Sequence, residues 1–261
     1  MLEDLKRLAK AKDLLYMLTW RDIRVRYKQS IMGFFWAILM PSLVVGAGVL
    51  VRIASASYSH TQLTSRDIGS VMVRAVAWSF FIAGLRFATA SLVGNPNLVT
   101  KIAFPKEVFP ISAVFANLLD LLVSCVVVLG IVFYINGAPT AQILWFPPLL
   151  VVLVALTIGF SLVLSAANLF FRDVKYIVEV FLTYAIFFTP VLYDASALGK
   201  WKNIVLLNPV APLLEGLSGA VVSGRPPEFQ WLTYSIVMSL LILVAGYWLF
   251  KQLEAKFAES I

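Results

Sequence analysis

Between Trp20 and Lys28 the chain reads WRDIRVRYK, so Arg21, Arg24, Arg26 and Lys28 crowd the mouth of an apolar run that begins after Gly33. Guanidinium groups bind phosphate in bidentate fashion and tolerate partial desolvation better than an ammonium. Cations beside a first membrane segment also hold its end to one side and attract anionic lipid. The residues alone leave both uses open.

Enzymatic constellations are missing. The one histidine, His60, has no neighbouring ligands, and a surface role suits it best. The one cysteine, Cys125, sits in LLVSCVVVLG, so it forms no intrachain disulfide and reads as a small buried hydrophobe. No Walker-type loop, HExxH, GxSxG or dinucleotide fingerprint occurs, so neither a catalytic residue nor a metal ligand is expected. Energy for any work has to come from another chain.

Charges within apolar runs are costly and seldom idle. Arg86 and Asp120 stand at matching depths of two successive runs, and the expectation is that they pair across antiparallel helices. Aromatics supply a second signal: Trp78, Phe81 and Phe87 in one run, and Tyr184, Phe187, Phe188 and Tyr193 in another. Aromatic faces stack on the C–H faces of sugar rings, so these residues could line a glycan path. Interface belts and ordinary packing place aromatics similarly.

The elements that must carry these residues are membrane helices. Hydrophobic residues make up 61% of the 261 and charged residues 13%, with a mean hydropathy of +0.89, whereas a soluble domain carries about 25% charge. Six segments are long and apolar enough to span, near 33–53, 71–93, 110–135, 143–168, 177–193 and 231–250. The N-terminal stretch lacks the pattern of a cleaved signal, so the first span is expected to remain. Counting Arg52 at the outer end of the first span, 14 lysines and arginines fall on the face that carries both termini and five on the other, which places both termini in the cytoplasm.

The first 28 residues read as an amphipathic interface helix, with Leu2, Leu5, Leu8, Tyr16, Ile23 and Tyr27 on one face and Arg21, Arg24 and Lys28 opposite. The 94–109 loop is longer than two neighbouring helices require. Pro105 and Pro110 frame a short helix there, with Lys106 and Glu107 in its first turn and Ile102, Phe104 and Phe109 exposed for a partner. On the other face, residues 194–230 are too apolar for a solvated loop and too broken by Pro209 and Pro212 to span. Short re-entrant segments satisfy both facts. The organisation is therefore one all-α integral membrane domain over residues 1–261, with an interface helix over 1–30.

WRDIRVRYKQSIMGFFWAILMPSL, NLVTKIAFPKEVFPIS, NLFFRDVKYIVEVFL and FFTPVLYDASAL followed by LLNPVAPLLEG resemble, in order and spacing, the signatures of type-two ABC exporter permeases. The likeness covers nearly the whole chain and is strongest to the polysaccharide branch, which exports O-antigen, capsule or teichoic acid. The resemblance implies a homodimer with two cytoplasmic ATPase subunits that hold ATP and magnesium, this chain binding no cofactor itself. It implies ATPase coupling through Lys101, Ile102, Phe104, Pro105, Lys106 and Glu107, with Arg172 and Asp173 at the same surface, and re-entrant segments over Leu206–Val222. It implies an undecaprenyl-diphosphate-linked polysaccharide substrate whose head group Arg21, Arg24, Arg26 and Lys28 would receive. The translocation pathway is expected at Trp78, Phe81, Arg86, Phe87, Asp120, Tyr184, Phe187 and Tyr193, in the cytoplasmic membrane. Rival readings are an exporter of a drug or small lipid, a scaffold, and a membrane-bound glycan enzyme using Asp173, Glu179 and Asp194.

Overall fold

The computed structural model describes residues 11–28, 35–59, 64–101 and 104–257. Every regular element among them is helical: α1 (Lys12–Lys28), α2 (Phe35–Ser59), α3 (Ser65–Ala90), α4 (Pro96–Lys101), α5 (Val108–Asn136), α6 (Phe146–Phe170), α7 (Val174–Phe188), α8 (Lys202–Leu206), α9 (Val210–Ser218) and α10 (Phe229–Glu254). Residues 2–10, part of the expected interface helix, Ile102 and His60 lie outside the described residues.

Local sequence sets the ends of these helices. Thr64 and Asp67 form a reciprocal capping box that starts α3. Pro147 and Pro148 open α6, where a missing N–H costs little. The expected separate helix between Pro105 and Pro110 does not form. Residues 104–107 make a turn, and Pro110 sits in the first turn of α5, which has no use for its amide. The short helix of this connection is α4 instead.

Four helical segments are long and apolar enough to cross a bilayer: Ser65–Ala90, Val108–Asn136, Ala141–Phe170 and Phe229–Glu254. The chain is a multi-pass membrane protein. The helix expected over 177–193 stops at Phe188, because Pro190 drives Thr189 into an extended conformation, φ −117°, ψ 137°. Its 15 residues rise only about 22 Å, and a tight turn, closed by the Val191 amide on the Thr189 carbonyl at 2.7 Å, leads on to Tyr193.

α3 is the most buried of the four, packing against α2, α5, α6, α7 and α9. Backbone meets backbone where α6 crosses α10: a Cβ on Gly246 would lie 2.5 Å from the Gly159 carbonyl oxygen and one on Gly159 would lie 2.8 Å from the Leu243 amide nitrogen. Only glycine permits that approach. The bundle has a terminal end, carrying α1 and residues 251–257, and a distal end, carrying α8 and α9. A separate apolar core closes the terminal end, with Leu18, Leu92, Phe109, Phe250 and Phe257 in contact.

Candidate functional site

A cavity of about 1260 Å³ opens between α3, α6, α7 and the 189–210 segment. Trp78 and Phe81 of α3 stack at 5.6 Å, and Phe81 meets Phe160 of α6 edge-on at 6.2 Å. Tyr184 and Phe187 of α7 and Tyr193 beyond it line the same space. Five of the eight expected pathway residues are thus brought together, and Phe160 is an addition that the sequence pass did not single out. Two polar groups in the wall are used internally, Tyr193 donating to the Phe187 carbonyl at 3.1 Å and Asn208 to Thr189 at 2.9 Å, while the buried Trp78 indole N–H has no partner among the described residues.

Arg86, Phe87 and Asp120 do not line this cavity. Arg86 pairs with Glu179 of α7 at 2.8 Å, both side chains well exposed. The expected Arg86–Asp120 pair is replaced by one that closes over 94 residues of sequence: Arg26 Nη1 donates to Asp120 at 2.7 Å and to Asn117 at 3.0 Å. The Arg26 guanidinium also lies 4.0 Å over the Phe87 ring, and the Tyr27 hydroxyl donates to the other Asp120 oxygen. Burial, then the Asp120 acceptor, pushes the Tyr27 phenol well above its usual value, so it stays a donor. Equal depth along the helices could not choose between partners; a cation from α1 reached Asp120 first.

Around this pair runs a groove of about 420 Å³ lined by Arg21, Arg26, Phe87 and Asn95. Arg21 donates to Asn95 at 3.0 Å and to its neighbour Asp22. Arg24 and Lys28 are exposed, Arg24 lying 5.3 Å over Trp20. The assignment of faces on α1 changes accordingly: Leu18 is buried, Tyr16 is exposed, and Arg21 and Arg26 turn toward α3 and α5.

The 104–107 turn is bolted to α10, and its Glu107 is withdrawn from any docking surface. Glu107, fully buried, accepts from Lys251 Nζ at 2.7 Å, and Lys251 also donates to Glu254. The Lys106 amide donates to Glu254 at 3.2 Å. Phe109, expected at the surface, is 1% exposed and packs on Phe104. Its position in the first turn of α5 points it into the terminal core. Arg172 and Asp173 are exposed in the α6–α7 turn at the same end.

The distal end holds a charge network that the sequence pass missed. Arg74 of α3, 1% exposed, pairs with Asp194 at 2.9 Å and Glu215 of α9 at 3.1 Å, and donates to the Tyr193 carbonyl at 2.8 Å. Arg52 of α2 joins Asp67 at 2.8 Å and Asp194 at 3.5 Å. The signal was present, since VMVRAVAW sets a lone cation in an apolar run. Burial pushes the Glu215 carboxyl up, against the pull of Arg74, and burial followed by the Glu215 charge raises the Tyr193 phenol. Asp173 at the terminal end and Asp194 at the distal end, with Glu179 tied to Arg86, make no carboxylate pair for glycan hydrolysis. Among the described residues no group of three metal-ligating side chains occurs.

Long apolar helices closing round an aromatic cavity, with charged straps at both ends, define a membrane transport subunit. The chain belongs to the ABC-2 type transporter family, which residues 13–222 match. It is 28% identical over 268 residues to the O-antigen export system permease protein RfbA of Myxococcus xanthus, covering 100% of both chains. Two proteins of the same name from Klebsiella pneumoniae are each 26% identical over 256 residues, covering 95% of both chains.

Proposed function

We propose that this chain is the transmembrane subunit of an ATP-driven exporter that moves lipid-linked polysaccharide, of the O-antigen, capsule or teichoic acid type, across the bacterial cytoplasmic membrane. The observation that carries the proposal is the aromatic cavity, whose rings offer a glycan broad apolar contact without charged wells that would trap it. The full-length likeness to permeases named for O-antigen export supports the same substrate class.

The unit in this proposal is a homodimer of six-span chains, α2 and the α7 segment completing the six. The exposed face of α7, with Ile177, Val180, Phe181, Tyr184 and Phe188, then meets the second copy and closes the conduit. Both termini are cytoplasmic, in line with the surplus of lysine and arginine at the terminal end. ATP and magnesium belong to a separate cytoplasmic ATPase, also in two copies, and this chain holds no cofactor. The ATPase docks at Lys101, Ile102, Phe104, Pro105 and Lys106, with Arg172 and Asp173 beside them and the buried Glu107 anchoring the turn from behind. Because the turn is bonded to Glu254 and Lys251, a push on it moves α10 as well as α5.

The lipid diphosphate is received at Arg21, Arg24, Arg26 and Lys28. Exposed Arg24 and Lys28 meet it first, and Arg26 engages only by exchanging the Asp120 carboxylate for phosphate. Export of a small lipid is the second reading, favoured by the nearly complete apolar lining at Ile177, Val180 and Phe181. The deciding experiment reconstitutes the chain with its ATPase and measures hydrolysis. Stimulation by lipid-linked glycan, but not by the same lipid without glycan, supports polysaccharide export. Equal stimulation by both establishes the lipid reading, and stimulation by neither overturns both.

A further inference from the structure

Behind the outer wall of the aromatic cavity lies a second, smaller space. Residues 195–206 form that wall: Leu198, Ile204 and Val205 face the cavity, while Ser196, Lys202 and Leu206 face a distal pocket of about 210 Å³. Its other sides come from α9, the segment to Ser223 and the start of α10. The rim is rigid. Gly224, at φ 61°, closes the helix, the Arg225 amide bonds back to the Gly219 carbonyl at 3.0 Å, and Pro226 and Pro227 follow.

The lining combines three chemistries. Trp231, held edge-on against Tyr234 at 5.9 Å, supplies an aromatic face. Glu215 contributes a carboxylate whose Oε1 takes both Arg74 and the Ala195 amide, which leaves Oε2 outside those two bonds. Ser196 and Ser223 add hydroxyls that accept as well as donate, and Ser218, whose hydroxyl donates to the Glu215 carbonyl at 3.1 Å, adds an acceptor. A ring face, a carboxylate and hydroxyls are what a polyhydroxylated ring needs: stacking for its C–H side and hydrogen bonds for its edge. An anionic head group fits worse. Two cations in the lining, Lys202 and Arg225, face two carboxylates, Glu215 and Glu228, and Lys202 already pairs with Glu228 at 2.7 Å, so phosphate gains no net attraction there. The pocket has room for about seven waters at ~30 Å³ each, the scale of one sugar ring.

We propose that the distal pocket is a saccharide site that holds a single neutral pyranose unit, stacked on Trp231 and hydrogen-bonded by Glu215, where glycan emerges from the cavity. The source of the glycan rests on the export reading; the binding does not. A single unit held at the exit opposes backsliding while the next segment advances.

The test titrates the full chain in lipid nanodiscs with methyl α-D-mannopyranoside, methyl β-D-galactopyranoside, methyl α-L-rhamnopyranoside and methyl N-acetyl-β-D-glucosaminide, followed by saturation-transfer NMR. At least one glycoside binds saturably near the millimolar range, and Trp231→Leu weakens it about tenfold. Trp231→Phe keeps most of the affinity, Glu215→Gln weakens it several-fold, and Gly130→Ala, which lines neither space, leaves it unchanged. Should Trp231→Leu fail to fold, Trp231→Phe and Glu215→Gln still decide, because loss of binding in the first with retention in the second contradicts the stack. Saturable binding by no glycoside, binding indifferent to Trp231→Leu, or displacement only by short-chain phosphatidylethanolamine overturns the site. None of these results touches glycan-stimulated ATP hydrolysis, so the site and the export reading fail separately.

Discussion

The tie between Arg26 and Asp120 separates two accounts of the basic cluster. Its guanidinium makes one charged bond at 2.7 Å, a second bond to Asn117 at 3.0 Å and a ring contact at 4.0 Å, with the two charged side chains 21% and 23% exposed. A hydrogen bond involving charge is worth about 1.5–3 kcal/mol and a cation over a ring about 0.5–2. Freeing the side chain on truncation returns up to about 2 kcal/mol of rotamer entropy. Arg26→Ala should therefore cost about 1–3 kcal/mol, and Asp120→Asn somewhat less, since Asn117 stays in place. The coupling from the double-mutant cycle should be about 1–2 kcal/mol. Unfolding of the purified chain in mixed detergent micelles, followed by tryptophan fluorescence, provides the measurement. Additivity within about 0.5 kcal/mol would refute a direct tie. The same variants report on function. If the diphosphate must displace Asp120, Asp120→Asn raises affinity for lipid-linked glycan while Arg26→Ala lowers it. Equal loss in both would make the pair a structural clasp only.

Three other perturbations follow from contacts at the ends and crossings of the bundle. Gly246→Leu forces α10 off Gly159 and should lose roughly 2–3 kcal/mol by the same unfolding assay, whereas Gly130→Ala, with nothing within 4 Å of the added carbon, changes little. Lys251→Met strands the buried Glu107 carboxylate at a cost of about 3–5 kcal/mol, and adding Glu107→Gln should recover much of the folded yield on size-exclusion chromatography. Glu215 is held above its usual 4.5 by burial, so the fold prefers its neutral form: the stability it contributes is complete below that value and lost as pH rises through the raised one. Glu215→Gln should flatten this part of a melting-temperature profile against pH, and an unchanged slope would assign it elsewhere.

The long helices were legible because apolar runs of about 20 residues have few alternatives in a membrane protein. The end of α7 was legible in principle, since Thr189–Pro190 forbids helix at Thr189, yet hydropathy continues past it and masks the break. Side-chain partners were less accessible. Depth matching treated Arg86 and Asp120 as the available charges in two antiparallel helices, whereas α1 lies across both and delivers Arg26 from 94 residues away. Helical periodicity on α1 set Arg21 on the charged face and gave Arg26 no face, because that pattern cannot register Asn95 beyond α3 or Asn117 and Asp120 on α5. The cavity aromatics were found by type, and five of them converge because α3 and α7 are neighbours.

The placement of charge ties these observations together. At the terminal end Arg26 holds α1 to α5, and Lys251 holds α10 to the 104–107 turn. At the distal end Arg52 and Arg74 tie α2 and α3 to Asp194 and, through Glu215, to α9. Each strap joins elements separated in sequence and stands toward an end of the bundle, and where an ion is itself buried, as Arg74 and Glu107 are, its paired charge offsets the desolvation. Between them the cavity wall carries no charged residue. A pair placed in that middle would cost more to desolvate and would bind a passing polar chain deeply enough to stop it. On the export reading proposed above, fixing the ends with ions and leaving the middle aromatic lets a push at the terminal end move the bundle without holding its cargo halfway.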